Sequence, residues 1–170
     1  MGYQQYQPPD GLSHVRATGA FQPLVESLCL FNTWCSLVGE HHVTLEELQG
    51  EVASRGQPVY EEGWHSIAQL NAALSRKRSK LALVKTALPR SKEWASNPFL
   101  RQQREGLFIL SARIPSSQTG RLVGHFFGVD CWNRQFIDVW GSERRPMNAR
   151  EWKKLNVKDW QRISAICVRD

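Results

Sequence analysis

Between Leu122 and Trp140 the chain reads Leu-Val-Gly-His-Phe-Phe-Gly-Val-Asp-Cys-Trp-Asn-Arg-Gln-Phe-Ile-Asp-Val-Trp, and this stretch constrains the fold more than any other. The apolar run around His125 has strand composition, a turn follows, and Phe136-Ile-Asp-Val139 restarts the strand pattern, so the segment reads as a β-hairpin. Each strand carries one group that a sheet interior tolerates poorly. A carboxylate at Asp138, between Ile137 and Val139, needs a partner once it is buried, and the imidazole of His125 is a natural one. Register decides whether they meet. A tight turn at Asn133-Arg134 pairs Asp138 with Val129, on the same face as His125 but four residues along the strand. A bulge, or a turn nearer Cys131-Trp132, sets Asp138 opposite His125. Asp130 falls on the other strand face and ranks below Asp138.

The elements before the hairpin are helical. Leu30, Phe31, Trp34, Leu37 and Val38 recur at helical spacing, with Ser27 as a cap and Gly39 as a stop. Thr44-Leu-Glu-Glu47 is a capping box opening a second helix that ends at Gly56. A third follows Gly63, with Ile67, Leu70 and Leu74 on one side. The pattern then changes to strands over 81–86 and 107–114, with a basic loop or short helix between them, and turn chemistry at Pro115-Ser-Ser-Gln-Thr-Gly120. Asn148 caps a short helix holding Trp152, and 163–168 forms a closing strand. Helices followed by an antiparallel sheet make an α+β domain, with a cleft between its two halves. At 170 residues, 41% hydrophobic and 22% charged, the chain supports one domain with a full core. Residues 1–20, rich in Gln, Tyr, Gly and Pro and without hydrophobic period, read as a disordered arm or an extended strap, leaving 21–170 as the domain.

No apolar run approaches a membrane span, and no secretory signal is visible, so an intracellular compartment, cytoplasmic or nuclear, is expected. Cys29, Cys35, Cys131 and Cys167 form no Cys-x-x-Cys pair and stand at no ligand spacing to His41 or His42, so neither a metal site nor a cofactor is expected, and the thiols read as reduced. The net charge of +6 gathers partly at Arg76-Lys-Arg-Ser-Lys80, Arg144-Arg145 and Lys153-Lys154. Such clusters are either a solvated surface or a basic face for an acidic partner or nucleic acid.

Among the thiols, chemistry favours Cys29. In the first turn of its helix it meets unpaired backbone N–H groups and the positive end of the dipole, which favour a thiolate. The same N–H groups could hold an oxyanion, and the amide of Gln22 is a further candidate donor, although it reads equally as loop polarity. Cys35 lies in the helix interior, Cys131 at the hairpin turn and Cys167 in an apolar strand. A thiol, a histidine and an acid on these elements would divide the work of a nucleophile, a general base and an orienting group.

That order, Cys29 on a helix and then His125 and Asp138 on a C-terminal hairpin, resembles the papain-like cysteine peptidase superfamily. Ser27-Leu-Cys-Leu-Phe-Asn-Thr-Trp-Cys-Ser-Leu-Val-Gly39, Gly63-Trp-His-Ser-Ile-Ala-Gln-Leu-Asn-Ala-Ala-Leu74, Gly124-His-Phe-Phe-Gly-Val129 and Phe136-Ile-Asp-Val139 are most similar to Josephin-type deubiquitinases. Asn32 stands where those domains carry a second histidine, and Asp138 where they usually carry Asn. The resemblance implies a nucleophile helix packed on an antiparallel sheet, a catalytic triad of Cys29, His125 and Asp138, no cofactor, and a protein or peptide substrate such as ubiquitin. A second reading is a catalytically inactive descendant of that fold, working as a subunit or adaptor through its basic loops and exposed tryptophans. A third is a nucleic-acid-binding module, although no RNA-recognition or zinc signature is present.

Overall fold

The computed structural model describes residues 3–8, 29–39, 42–54, 66–89, 91–138 and 143–169. Gln22, Ser27, Gly56 and Gly63 lie outside the described residues. In chain order the elements are β1 (Tyr3–Gln5), α1 (Cys29–Val38), α2 (Leu45–Ser54), α3 (Ile67–Arg76), β2 (Leu81–Lys85), a 3₁₀ turn (Trp94–Ser96), α4 (Pro98–Gln102), β3 (Leu107–Pro115), β4 (Leu122–Asp130), β5 (Gln135–Asp138), β6 (Glu143–Pro146), α5 (Ala149–Leu155) and β7 (Asp159–Arg169). The result is a mixed α+β fold around one antiparallel sheet.

Local chemistry sets most of the boundaries. Gly39 at φ 90° stops α1. The capping box of α2 forms as expected, Glu47 N–H donating to Thr44 Oγ1 at 3.1 Å and Thr44 N–H to Glu47 Oε1 at 3.2 Å. A second box, of Ser66 with Gln69, opens α3, and the side chains of Asn97 and Asn148 cap α4 and α5. Asn156, left-handed at φ 56°, ends α5.

The sheet runs β1-β7-β3-β4-β5-β6, with β2 on the other side of β7. It is covered on both faces, so the domain has three layers rather than a helical half packed on a sheet half. On one face Leu107, Ile109, Ile137 and Ile166 join Leu30, Phe31, Trp34, Leu37, Leu70 and Leu74 of α1 and α3. On the other, Phe108, Leu110, Phe127, Phe136 and Ile163 pack with Phe99 and Leu100 of α4 and Trp152 and Leu155 of α5. This two-sided burial explains why Leu107-Phe-Ile-Leu110 is continuously apolar instead of alternating.

The outer edge of β2 is closed by a side chain. Asn71 of α3 donates from Nδ2 to the Leu83 carbonyl at 2.9 Å and accepts the Leu83 N–H at 2.8 Å, standing in for a neighbouring strand. The opposite edge, β6, is four residues long and ends in Pro146. Two sequence expectations change here. Arg144 belongs to no solvated basic cluster: its side chain is only 6% exposed and pairs with Asp130. Among the described tryptophans, Trp34, Trp152 and Trp160 are buried and Trp94 and Trp132 half-buried, so none of these is an exposed anchor.

Candidate functional site

The hairpin adopts a register midway between the two that its sequence allows. Gly128 faces Ile137, Val129 faces Phe136 and Asp130 faces Gln135, across a turn over 131–134 in which Arg134 takes φ 54°. One step further along this register sets Asp138 beside Phe127, and therefore diagonal to His125 on the same face. The two groups meet: His125 Nε2 lies 3.6 Å from Asp138 Oδ1, with the imidazole 1% and the carboxylate 15% exposed. That separation exceeds the about 3.2 Å limit of an N–H···O hydrogen bond. The His125 ring stands edge-on to Phe127, centroids 4.7 Å apart.

Cys29 is the first described residue of α1 and is 4% exposed. The helix carries two stripes. Leu30, Phe31, Trp34, Leu37 and Val38 form the apolar one. Cys29, Asn32, Thr33 and Ser36 recur at i, i+3, i+4 and i+7, which makes a buried stripe of small and polar groups. Gly128 of β4 makes room for this side of the helix: a Cβ there would stand 3.2 Å from Thr33 Cγ2, 3.3 Å from Leu37 Cδ1 and 3.0 Å from Ile137 Cβ. Both atoms of the Asn32 amide are buried and have no hydrogen-bond partner among the described residues, and the same is true of Thr33 Oγ1.

The far end of α1 is tied to the hairpin. Arg144 donates from Nη2 to the Ser36 carbonyl at 2.6 Å, and from Nη1 to Asp130 Oδ2 at 3.0 Å and Gln135 Oε1 at 2.9 Å. Asp130 also receives the Asn133 N–H at 3.0 Å and its Nδ2 at 2.9 Å. Asp130 is thus a structural acid that orders the turn and anchors β6.

Strand parity relates these groups. Successive side chains of a strand point to opposite faces. Phe126 and Gly128 pack with the α1 side; His125, Phe127 and Val129 take the other, where Ala112, Leu110 and Phe108 are their partners across β3. Asp138 shares that face, since Ile137 packs with α1 and Phe136 does not. The structure therefore gathers His125 and Asp138 and sets them on the far side of β4 from the helix that Cys29 begins. Gln22 cannot be added to either group, being outside the described residues.

Sequence reasoning missed Arg144 and the polar stripe of α1. The stripe was legible, because three polar or small residues follow Cys29 at helical spacing beside the stronger apolar pattern of the same helix. Arg144 had no signal beyond its place in a basic pair.

All four cysteines are buried thiols. Burial pushes the Cys131 thiol up to about 12 and raises that of Cys167 as well. Among the described residues no group of three or more His, Cys, Asp or Glu side chains could hold a metal ion, and no described helix is long and apolar enough to cross a membrane. No protein-family model matches the chain, and neither a curated protein nor a solved structure matches it either.

Proposed function

We propose that this chain is a papain-like domain that works as a binding subunit of a larger assembly rather than as a thiol hydrolase. The order of elements supports the lineage: a helix begun by Cys29, then an antiparallel sheet with His125 and Asp138 on neighbouring strands. The observation that carries the loss of chemistry is the parity of β4. A general base must come within hydrogen-bond reach of the thiol it activates, and His125 projects from the sheet face opposite α1. A Cys29 thiol that is 4% exposed also leaves little room for a carbonyl to approach.

The test is thiol labelling of the full chain at neutral pH, with a small alkylating reagent and with a ubiquitin-based covalent probe, followed by peptide mapping. Cys29 is expected to stay unmodified in the folded protein and to react stoichiometrically in denaturant. Rapid labelling of native Cys29, together with peptide-bond hydrolysis that disappears in Cys29→Ala, would replace this reading with the second one. In that reading Cys29 is the nucleophile, His125 the base and Asp138 the group that orients it. The 3.6 Å contact between His125 and Asp138, and a thiol at the start of a helix, favour it.

A further inference from the structure

The strand β7 is longer than the partner beside it. From Asp159 to Ala165 it pairs with β3, but β3 begins only at Leu107, opposite that point. Beyond it the same side of β7 is completed by the N-terminal residues: Tyr3 pairs with Arg169, Gln4 with Val168 and Gln5 with Cys167, and the Tyr6 N–H donates to the Ile166 carbonyl at 3.0 Å. β1 thus lies end to end with β3 in one lane of the sheet.

The lane is built as a groove. Its end is Gly106, where φ is 103°, a conformation that favours glycine, and where an added Cβ would stand 2.8 Å from Phe108 Cε2 and 3.1 Å from the end of the Gln5 side chain. Trp132 reaches across and donates from Nε1 to the Tyr6 carbonyl at 3.0 Å. The His42 ring meets the Tyr6 ring edge-on at 6.2 Å and is itself backed by Trp34 at 6.3 Å. Of the segment's own side chains, Gln4, Gln5 and Gln7 face solvent, Tyr6 is half-buried and Pro8 is buried. Backbone pairing supplies sequence-independent attachment, while the half-buried Tyr6, packed on the core, and the buried Pro8 two residues later supply the side-chain contact. This is the division of labour seen when an extended peptide adds a strand to a sheet.

We propose that this groove is a docking site for an extended Tyr-x-Pro segment of a partner protein, and that residues Tyr3–Pro8 occupy it in cis as a displaceable strand. A three-residue strand with Gln4 and Gln5 exposed is the kind of element that opens locally while the rest of the fold stays intact. Its occupancy by the chain's own segment states what the groove recognises, and tethering raises the local concentration of that segment, so a partner must compete with it. The inference gives a site to the binding-subunit reading and rests on it only for the existence of a partner. Because its readout is peptide affinity and not Cys29 reactivity, the two can fail separately.

The experiment uses the full chain and a fluorescein-labelled peptide of its residues 1–9. Wild type is compared with a Tyr6→Ala, Pro8→Ala variant whose own strand is weakened. The variant is expected to bind the peptide at least about tenfold more tightly than wild type, because the tethered competitor has been removed. A peptide with alanine in place of Tyr6 should bind at least about tenfold more weakly, as loss of a buried aromatic anchor does. Equal affinity of wild type and variant, or of the two peptides, overturns the proposal. Amide exchange of wild type gives a second measurement that does not depend on the variant folding. The Tyr6 N–H should exchange at least about a hundredfold faster than the Leu110 N–H in β3, and equal protection would show that the strand does not open by itself.

Discussion

Replacing Asp130 with alanine tests the best-connected polar cluster of the molecule. The carboxylate is fully buried and holds Arg144, whose own side chain is 6% exposed. Removing it takes one buried carboxylate away from a guanidinium that still donates to the Ser36 carbonyl and Gln135 Oε1. Breaking a buried pair from one side costs about 3–5 kcal/mol. The two Asn133 donors also lose their acceptor, adding about 1 kcal/mol each at most. Arg144→Met removes the other partner and leaves Asp130 with its Asn133 bonds, so about 3 kcal/mol, the low end of the same range, is expected for that variant. In the double variant neither charge remains, and it should be more stable than Asp130→Ala alone. The cycle should give a coupling of about 2 kcal/mol or more, as residues sharing one network do. Urea unfolding followed by circular dichroism reads this directly. With a slope of about 2 kcal/mol per molar, the Asp130→Ala midpoint falls by about 2 M. Single-variant losses below about 1 kcal/mol with coupling below about 0.5 kcal/mol would show that the pair is solvated, and would remove the clamp between α1 and β6.

Two further outcomes follow from the same packing. Gly128→Ala should lower the thermal midpoint, with a cost of about 1–3 kcal/mol, because the new methyl meets Ile137 Cβ at 3.0 Å and two side chains of α1; an unchanged melting temperature would mean that α1 does not ride on β4 at that point. Cys131 supplies a pH dependence. Its folded value is raised to about 12 from an ordinary 9.0, so the native state holds the proton more tightly than the unfolded chain. Its contribution is complete below pH 9 and is lost as pH rises through 12, at about 1.4 kcal/mol per pH unit. Unfolding free energies of wild type and Cys131→Ala from urea titrations at pH 9 and pH 10.5 should therefore converge by about 2 kcal/mol as pH rises, other titrating groups cancelling in the difference. A constant difference between the two proteins would refute it.

Much of the fold was legible because it is written in local chemistry. The helices of residues 29–38 and 45–54, the Thr44 box, the Gly39 stop, the Asn148 cap and the hairpin itself all depend on neighbours within a few positions. Boundaries set by one overlooked residue slipped: the third helix starts from its Ser66 cap, and β7 spans Asp159–Arg169 instead of 163–168. The strand β6 had no local signal. Glu143-Arg-Arg-Pro146 lacks any apolar alternation and is a strand only because β5 offers it an edge and Asp130 holds Arg144.

The candidate site divides along the same line. Sequence alone determined that His125 and Asp138 lie on paired strands, and that Cys29 lies on a helix, because periodicity and turn chemistry act over short spans. Which face each group occupies was decided by tertiary structure. A strand repeats every two residues, so a shift of one residue in packing exchanges its faces. The helix α1 settled where Gly128 leaves a hollow, which is a match between residues about a hundred positions apart along the chain. That choice put Phe126 under the helix and turned His125 to the other side of the sheet.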